Sequence, residues 1–138
     1  MRFDWVRRMG VHEAYHLSAA NRWIHWVCIP IELFGVLKLA SLVRLGPIDL
    51  AIVLIALVAP IYLAVDVLAG ALMTAALVLL RIAAPWVTTG STLGDAALAL
   101  ALFAAPFVFQ TQVGHGVFER GVYDTHKNLA EPRPTRNP

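Results

Sequence analysis

Residues 48–69, IDLAIVLIALVAPIYLAVDVLA, are the stretch that decides the fold. Beyond its first two residues, the stretch is almost wholly aliphatic apart from Pro60, Tyr62 and Asp66. An α-helix needs about 20 mainly apolar residues to cross the hydrocarbon core of a bilayer. The stretch is therefore predicted to be a membrane-spanning helix.

Three further apolar stretches extend this prediction to an all-α integral membrane bundle of four transmembrane helices. Leu45-Gly46-Pro47 is a turn signal between the first two spans, and residues 88–94, TTGSTLG, form a polar loop before the last one. Asn21 and Asp95 are the predicted N-caps of the first and fourth spans. The predicted spans are about 22–44, 48–69, 70–85 and 96–113.

Composition supports a membrane protein with a single membrane domain, residues 1–120. The 138 residues are 59% hydrophobic and 14% charged, with a mean hydropathy of +0.68, which is too apolar for an ordinary soluble domain. The single cysteine, Cys28, excludes an internal disulfide and a cysteine-based metal cluster. Lys and Arg lie at the ends of apolar segments rather than in a patch with interleaved aromatics, so no nucleic-acid partner is expected.

The two ends of the chain differ from the spans. Residues 3–17 mix aromatic, apolar and charged side chains and predict an amphipathic helix lying in the membrane interface. Residues 121–138 are polar and predict a flexible tail. Lys and Arg are concentrated near both ends, so the positive-inside rule predicts cytoplasmic termini. The expected location is a bacterial cell membrane, or the endoplasmic reticulum in a eukaryote.

Chemistry is predicted where the last apolar run stops, at residues 110–119, QTQVGHGVFE. His115 lies between two glycines, which leave room for another group to approach its ring. Glu119 follows one helical turn later, on the same face if the helix continues. Taken alone, this stretch also fits a histidine that marks where a membrane helix meets water.

Four spans bring other titratable residues to the same membrane face as His115. The start of span one carries His25, the end of span two carries Asp66, and the interfacial helix carries His12 and His16. Imidazole with carboxylate and no thiolate suits iron, zinc or manganese, and a histidine-rich site with open positions suits a non-haem iron that binds oxygen. Spacing alone leaves open the alternative that water and lipid head groups satisfy these histidines.

A second motif uses the same histidines differently. Residues 12–16 read HEAYH, an H-E-x-x-H pattern, which on a helix places His12 and His16 on one face as zinc ligands with Glu13 as general base. The pattern is short, and nothing else in the chain supplies a peptide-binding strand. A zinc-dependent membrane hydrolase is therefore an alternative hypothesis.

Two sequence blocks stand, in chain order, at opposite ends of the predicted bundle. The first runs from Tyr15-His16 through Asn21 and Ile24-His25 to Ile29-Pro30, and the second contains Phe109-Gln110 and residues 114–119, GHGVFE. Together these blocks resemble the Mpo1-like family of membrane 2-hydroxy fatty acid dioxygenases. The resemblance covers roughly residues 10–120. Ser18-Ala19 stands where the family has Asn-Pro, Leu17 where eukaryotic members have a second histidine, and the tail after Glu119 differs.

The resemblance implies an iron(II)-dependent dioxygenase that shortens 2-hydroxy fatty acids by one carbon. The family's histidines fall on His16, His25 and His115, and His12, Asp66 and Glu119 are candidates for the remaining metal positions. Expected partners are a membrane lipid or fatty acid and molecular oxygen. Oxidation of another hydrophobic substrate, a non-enzymatic membrane scaffold and a homo-oligomer stay open.

Overall fold

The protein is mostly helical in the computed structural model, which describes residues 19–118. The predicted interfacial helix 3–17 and tail 121–138 lie outside the described residues. The elements in chain order are helix α1 (Ala19–Ser41), strands β1 (Arg44–Leu45) and β2 (Ile48–Asp49), helices α2 (Leu50–Val65) and α3 (Val67–Ala83), a 3₁₀ turn (Ala84–Trp86), helix α4 (Thr92–Phe109), a π-helical segment (Gln110–His115) and a last helical turn (Gly116–Phe118).

Three of these helices are long and apolar enough to cross a membrane, judged by length and composition. They are Ala19–Ser41, Val67–Trp86 and Thr92–Gly114, and α2 is a shorter apolar helix. At about 1.5 Å per residue, a helix of 16 residues rises about 24 Å, less than the roughly 30 Å of a hydrocarbon core. The prediction of an all-α protein is confirmed, and the three long apolar helices are compatible with a membrane protein.

The turn predicted at Leu45-Gly46-Pro47 is confirmed. Strands β1 and β2 pair antiparallel, with Arg44 opposite Asp49 and Leu45 opposite Ile48. Gly46 has a φ of 70°, which the first central residue of a type II′ hairpin turn requires and which other residues rarely adopt. Because the chain enters this hairpin, α1 ends at Ser41 rather than near residue 44.

The boundary predicted between spans two and three, at residues 69–70, is wrong. Asp66 has extended backbone angles, ends α2 and begins α3, and its carboxylate accepts a hydrogen bond from the Ala69 N–H at 2.8 Å. A single residue therefore joins the two helices. They approach closely at Gly70, where an added Cβ would lie 2.6 Å from backbone atoms of Tyr62 and Leu63.

Asp95 is not the N-cap of the last helix, as the sequence predicted. The helix begins three residues earlier, and the Ser91 hydroxyl accepts from the Gly94 N–H at 3.1 Å, as an N-cap does. The Asp95 carboxylate instead accepts hydrogen bonds from the preceding loop, including the Thr89 N–H at 2.7 Å.

The chain forms two compact units. The central unit, Cys28–Phe107, has a core in which α1, α2 and α3 pack through Leu37, Ala40, Ala51, Ile55 and Leu77. In the same unit α1 meets α4 at Gly35, where an added Cβ would lie 2.7 Å from the Ala99 carbonyl oxygen. The terminal unit contains the described residues 19–27 and 108–118.

Candidate functional site

The first turns of α1 carry a fully buried polar residue, Asn21. Ala19 and Ala20 are already helical, so the prediction that Asn21 is an N-cap is wrong. Asn21 is 0% exposed, although asparagine is usually found at the surface. Its burial against Gly114 of the π-helical segment, rather than a local capping preference, explains its position.

His25 lies one turn after Asn21 and is half-buried. Its Nδ1 donates a hydrogen bond to the Asn21 carbonyl oxygen at 3.0 Å. In a neutral imidazole, this bond places the hydrogen on Nδ1 and the lone pair on Nε2. Histidines that bind metal ions through Nε2 commonly donate their other ring N–H to a backbone carbonyl in this way.

The π-helical segment Gln110–His115 faces this turn of α1. The Gly116 N–H donates to the Thr111 carbonyl oxygen five residues earlier, the spacing that defines a π-helix. Such segments are rare and frequently occur at functional sites. Gln110 is buried, and the backbone of His115 closes the segment.

Gly114 is the point of contact between the two histidine-bearing segments. A Cβ at Gly114 would overlap the Oδ1 atom of Asn21 and would lie 3.7 Å from Cγ2 of Ile24. At Gly116 an added Cβ would meet only the Thr111 carbonyl oxygen, at an ordinary 3.6 Å. Of the two glycines beside His115, Gly114 is therefore the one that the close approach requires.

The predicted metal ligands are only partly within the described chain. His12, His16 and Glu119 lie outside it, and of His115 the backbone is described. Among the described side chains of residues 19–118, no three His, Cys, Asp or Glu groups lie closely enough together to hold a metal ion. Because His16 and the His115 ring are not among those side chains, the metal site stays a prediction. Asp66 belongs to the central unit and caps α3.

Charged residues of the central unit make a hydrogen-bonded ion pair that links β2 to α3. Arg81 donates to both carboxylate oxygens of Asp49, with its Nε 3.2 Å from Oδ1. Asp49 is fully buried and also accepts from the Ile52 N–H at the start of α2. The Arg81 hydrogen bonds hold the pKa of Asp49 below its usual value, against the opposing effect of burial.

A second ion pair of the central unit links α1 to the first turn of α4, and the same lysine also donates to carbonyl groups before α4. Lys38 is 2% exposed, donates to the carbonyl oxygens of Ala84 and Val87, and lies 3.5 Å from Asp95. The buried ammonium group is therefore surrounded by two carbonyl acceptors and one carboxylate, which compensate for its loss of contact with water. One ion pair thus connects the end of α3 to the start of α2, and the other connects the end of α1 to the start of α4.

Sequence reasoning missed the roles of these polar residues. N-cap preferences place Asn21 at a helix start because they take no account of burial by residues distant in sequence. Asp49 and Arg81 carried a usable signal, since they stand at the start of one predicted span and the end of the next, and antiparallel neighbours bring such ends together. Lys38 inside an apolar helix had the same kind of signal, because a charge within a span needs a protein partner.

Comparison with known proteins does not identify the chain. No protein-family model, curated protein or solved structure matches it.

Proposed function

We propose that the protein is an iron(II)-dependent membrane dioxygenase that converts a 2-hydroxy fatty acid into the acid one carbon shorter. The observation that carries the proposal is the contact between the two histidine-bearing segments, Asn21 against Gly114. These are also the segments that contain the two blocks resembling the Mpo1-like family. Geometry and resemblance therefore point to the same part of the chain.

The proposed metal site consists of His16, His25 and His115, holding one or two iron ions. His12, Asp66 and Glu119 are the candidates for the remaining positions. The hydrogen bond from Nδ1 of His25 to the Asn21 carbonyl fits this assignment, because it leaves Nε2 as the lone-pair atom. Bound iron(II) would supply oxygen activation and a template for the carboxylate and 2-hydroxyl of the substrate.

The overall reaction balances without a further reductant. One 2-hydroxy acid and one dioxygen molecule would give the shortened acid, carbon dioxide and water. By formal oxidation state, carbon one loses one electron and carbon two loses three, and dioxygen accepts all four. The bond between carbons one and two breaks, and the shortened acid gains the oxygen that makes its new carboxyl group.

The proposed membrane arrangement has four spans, an interfacial helix at residues 3–17 and cytoplasmic termini. It would place the histidines at the depth of lipid head groups, where the carboxylate of a membrane-dissolved fatty acid also lies. The hydrocarbon tail would be held among apolar helices.

Elemental analysis of the purified protein tests the metal assignment. We expect iron at one or two ions per chain in the wild type and at least a tenfold loss of iron affinity in H25A, because losing even an indirect partner of a metal costs about 10–100-fold. R44Q, which changes an exposed hairpin residue, is the matched control.

The metal content of the purified protein also separates the alternative functions. Stoichiometric zinc, lost on changing His12 or His16 but retained in H25A, would favour the hydrolase. No bound metal in the wild type would favour a membrane scaffold.

A further inference from the structure

We propose that Arg22, Trp23 and Trp26 form a binding site for the head group of an anionic phospholipid. The proposal rests on α1 crossing a membrane and not on the dioxygenase chemistry. The side of α1 that carries this site follows from the burial of its first turns, in which Asn21 and His25 face the protein. Trp23 and Trp26 are on the opposite side of α1 and Arg22 is at its flank, since each residue turns the helix by about 100°.

The exposure of the two tryptophans indicates a partner that is both apolar and polar. Trp23 is 70% exposed and Trp26 is 76% exposed, values that are unusual for such large apolar rings. Tryptophan is enriched at the boundary between hydrocarbon and head groups, where its ring is in an apolar layer and its N–H can reach a polar one. Both rings lie near the start of a helix long enough to span a membrane.

The two rings and Arg22 form one recess rather than separate exposed side chains. The ring centroids are 6.4 Å apart, with the planes tilted by 53°. Together with Ala19 and Arg22 they line an open recess of about 400 Å³. At this separation the tilted rings contact each other, so they form a continuous apolar wall beside Arg22 against which the glycerol region of a lipid would pack.

Charge complementarity selects an anionic head group as the occupant. Arg22 is exposed and is the charged residue of the recess, and none of the described residues that line the recess is acidic. A guanidinium group binds phosphate with two parallel N–H donors. A zwitterionic head group places a cation beside its phosphate and would gain less from Arg22 than phosphatidylglycerol would.

Fluorescence quenching in vesicles tests this assignment on the full chain. A W5F/W86F variant leaves Trp23 and Trp26 as the only tryptophans of the protein. It is reconstituted into phosphatidylcholine vesicles that contain a small fraction of either brominated phosphatidylglycerol or brominated phosphatidylcholine. We expect about fivefold enrichment of phosphatidylglycerol around the pair, the equivalent of about 1 kcal/mol for one cation at an anionic membrane surface.

Matched variants locate the effect. R22Q should abolish the preference and R22K should retain part of it, whereas R44Q, on the hairpin, should leave it unchanged. Equal quenching by the two brominated phospholipids would overturn the proposal, as would a preference that survives R22Q. Quenching by a brominated free fatty acid equal to or above that by phosphatidylglycerol would also overturn it, because the recess would then hold a carboxylate rather than a phospholipid.

Discussion

Replacing Gly114 by alanine tests whether the contact between α1 and the π-helical segment builds the site. The new methyl group would overlap Oδ1 of Asn21, and Asn21 is fully buried, so its amide has no open space into which to turn. Overpacking of this kind typically costs about 1–3 kcal/mol. G116A is the matched control, because its methyl group meets only an ordinary contact.

Both substitutions gain a similar benefit from replacing a helical glycine, about 0.5–1 kcal/mol. The difference between them therefore isolates the strain, and we expect G114A to be less stable than G116A by about 1–3 kcal/mol. Unfolding in a mild detergent, followed by circular dichroism, measures this difference. G114A should also bind less iron than G116A, because strain at Gly114 displaces the backbone that carries His115.

A double-mutant cycle ties the strain to Asn21. N21A removes the overlapping oxygen, so G114A should cost less in the N21A background, with a coupling energy of about 0.5–3 kcal/mol. Equal stability and iron content of G114A and G116A would refute the contact as the basis of the site. A cost of G114A that is unchanged by N21A would refute the assignment of the strain to Asn21.

The ion pairs and the proposed topology yield three further predictions. In detergent unfolding experiments, D49N should lower the free energy of unfolding by about 1.5–3 kcal/mol because it weakens the hydrogen bonds from Arg81. D49A should lower it by about 1 kcal/mol more because it also removes the N-cap of α2. Because the pKa of Asp49 is lowered in the folded state, its ionised carboxylate stabilises the fold fully above about pH 4, the unfolded pKa, and this stabilisation is lost as the pH falls further. D49N should therefore reduce the fall in the free energy of unfolding between about pH 4 and lower pH. An unchanged fall in D49N would contradict the assignment. K38M should lower the unfolding midpoint below that of the R44Q control, because it removes the donor to the Ala84 and Val87 carbonyl groups and the ammonium partner of Asp95. A midpoint equal to that of R44Q would argue against a stabilising role of Lys38. A reporter active only in the cytoplasm should be active when fused to the C-terminus, and an inactive fusion would contradict the proposed topology.

Hydrophobic patterning predicted the helices of this chain well because it reports a property of each segment by itself. An apolar run as long as residues 67–86 has few alternatives to a helix in lipid. The hairpin turn was equally local, since Gly46-Pro47 carries its own backbone preference. The helix boundaries were predicted less accurately. Hydropathy places Asp66 inside an apolar run of spanning length, but in the structure its side chain caps α3, so that α2 ends at the residue before it.

The candidate site was predictable only to the level of the segments that form it. Histidines near the ends of two spans indicated that these ends meet, but spacing cannot show which residue makes the contact. That depends on the depth and rotation of each helix, which follow from close packing at Gly114 and from the burial of Asn21. The same reason explains why Asp95 was assigned to a cap: its loop partners and Lys38 come together only in the folded chain.

Turnover of a 2-hydroxy fatty acid is the most direct test of the central claim. Purified protein is incubated with iron(II), oxygen and the acid, while oxygen uptake is recorded and products are identified by mass spectrometry. We predict the acid one carbon shorter, with one oxygen consumed per acid, in the wild type and in R44Q, and none in H25A. Iron-loaded protein that consumes no oxygen with any 2-hydroxy acid, or an H25A variant as active as the wild type, would contradict the account.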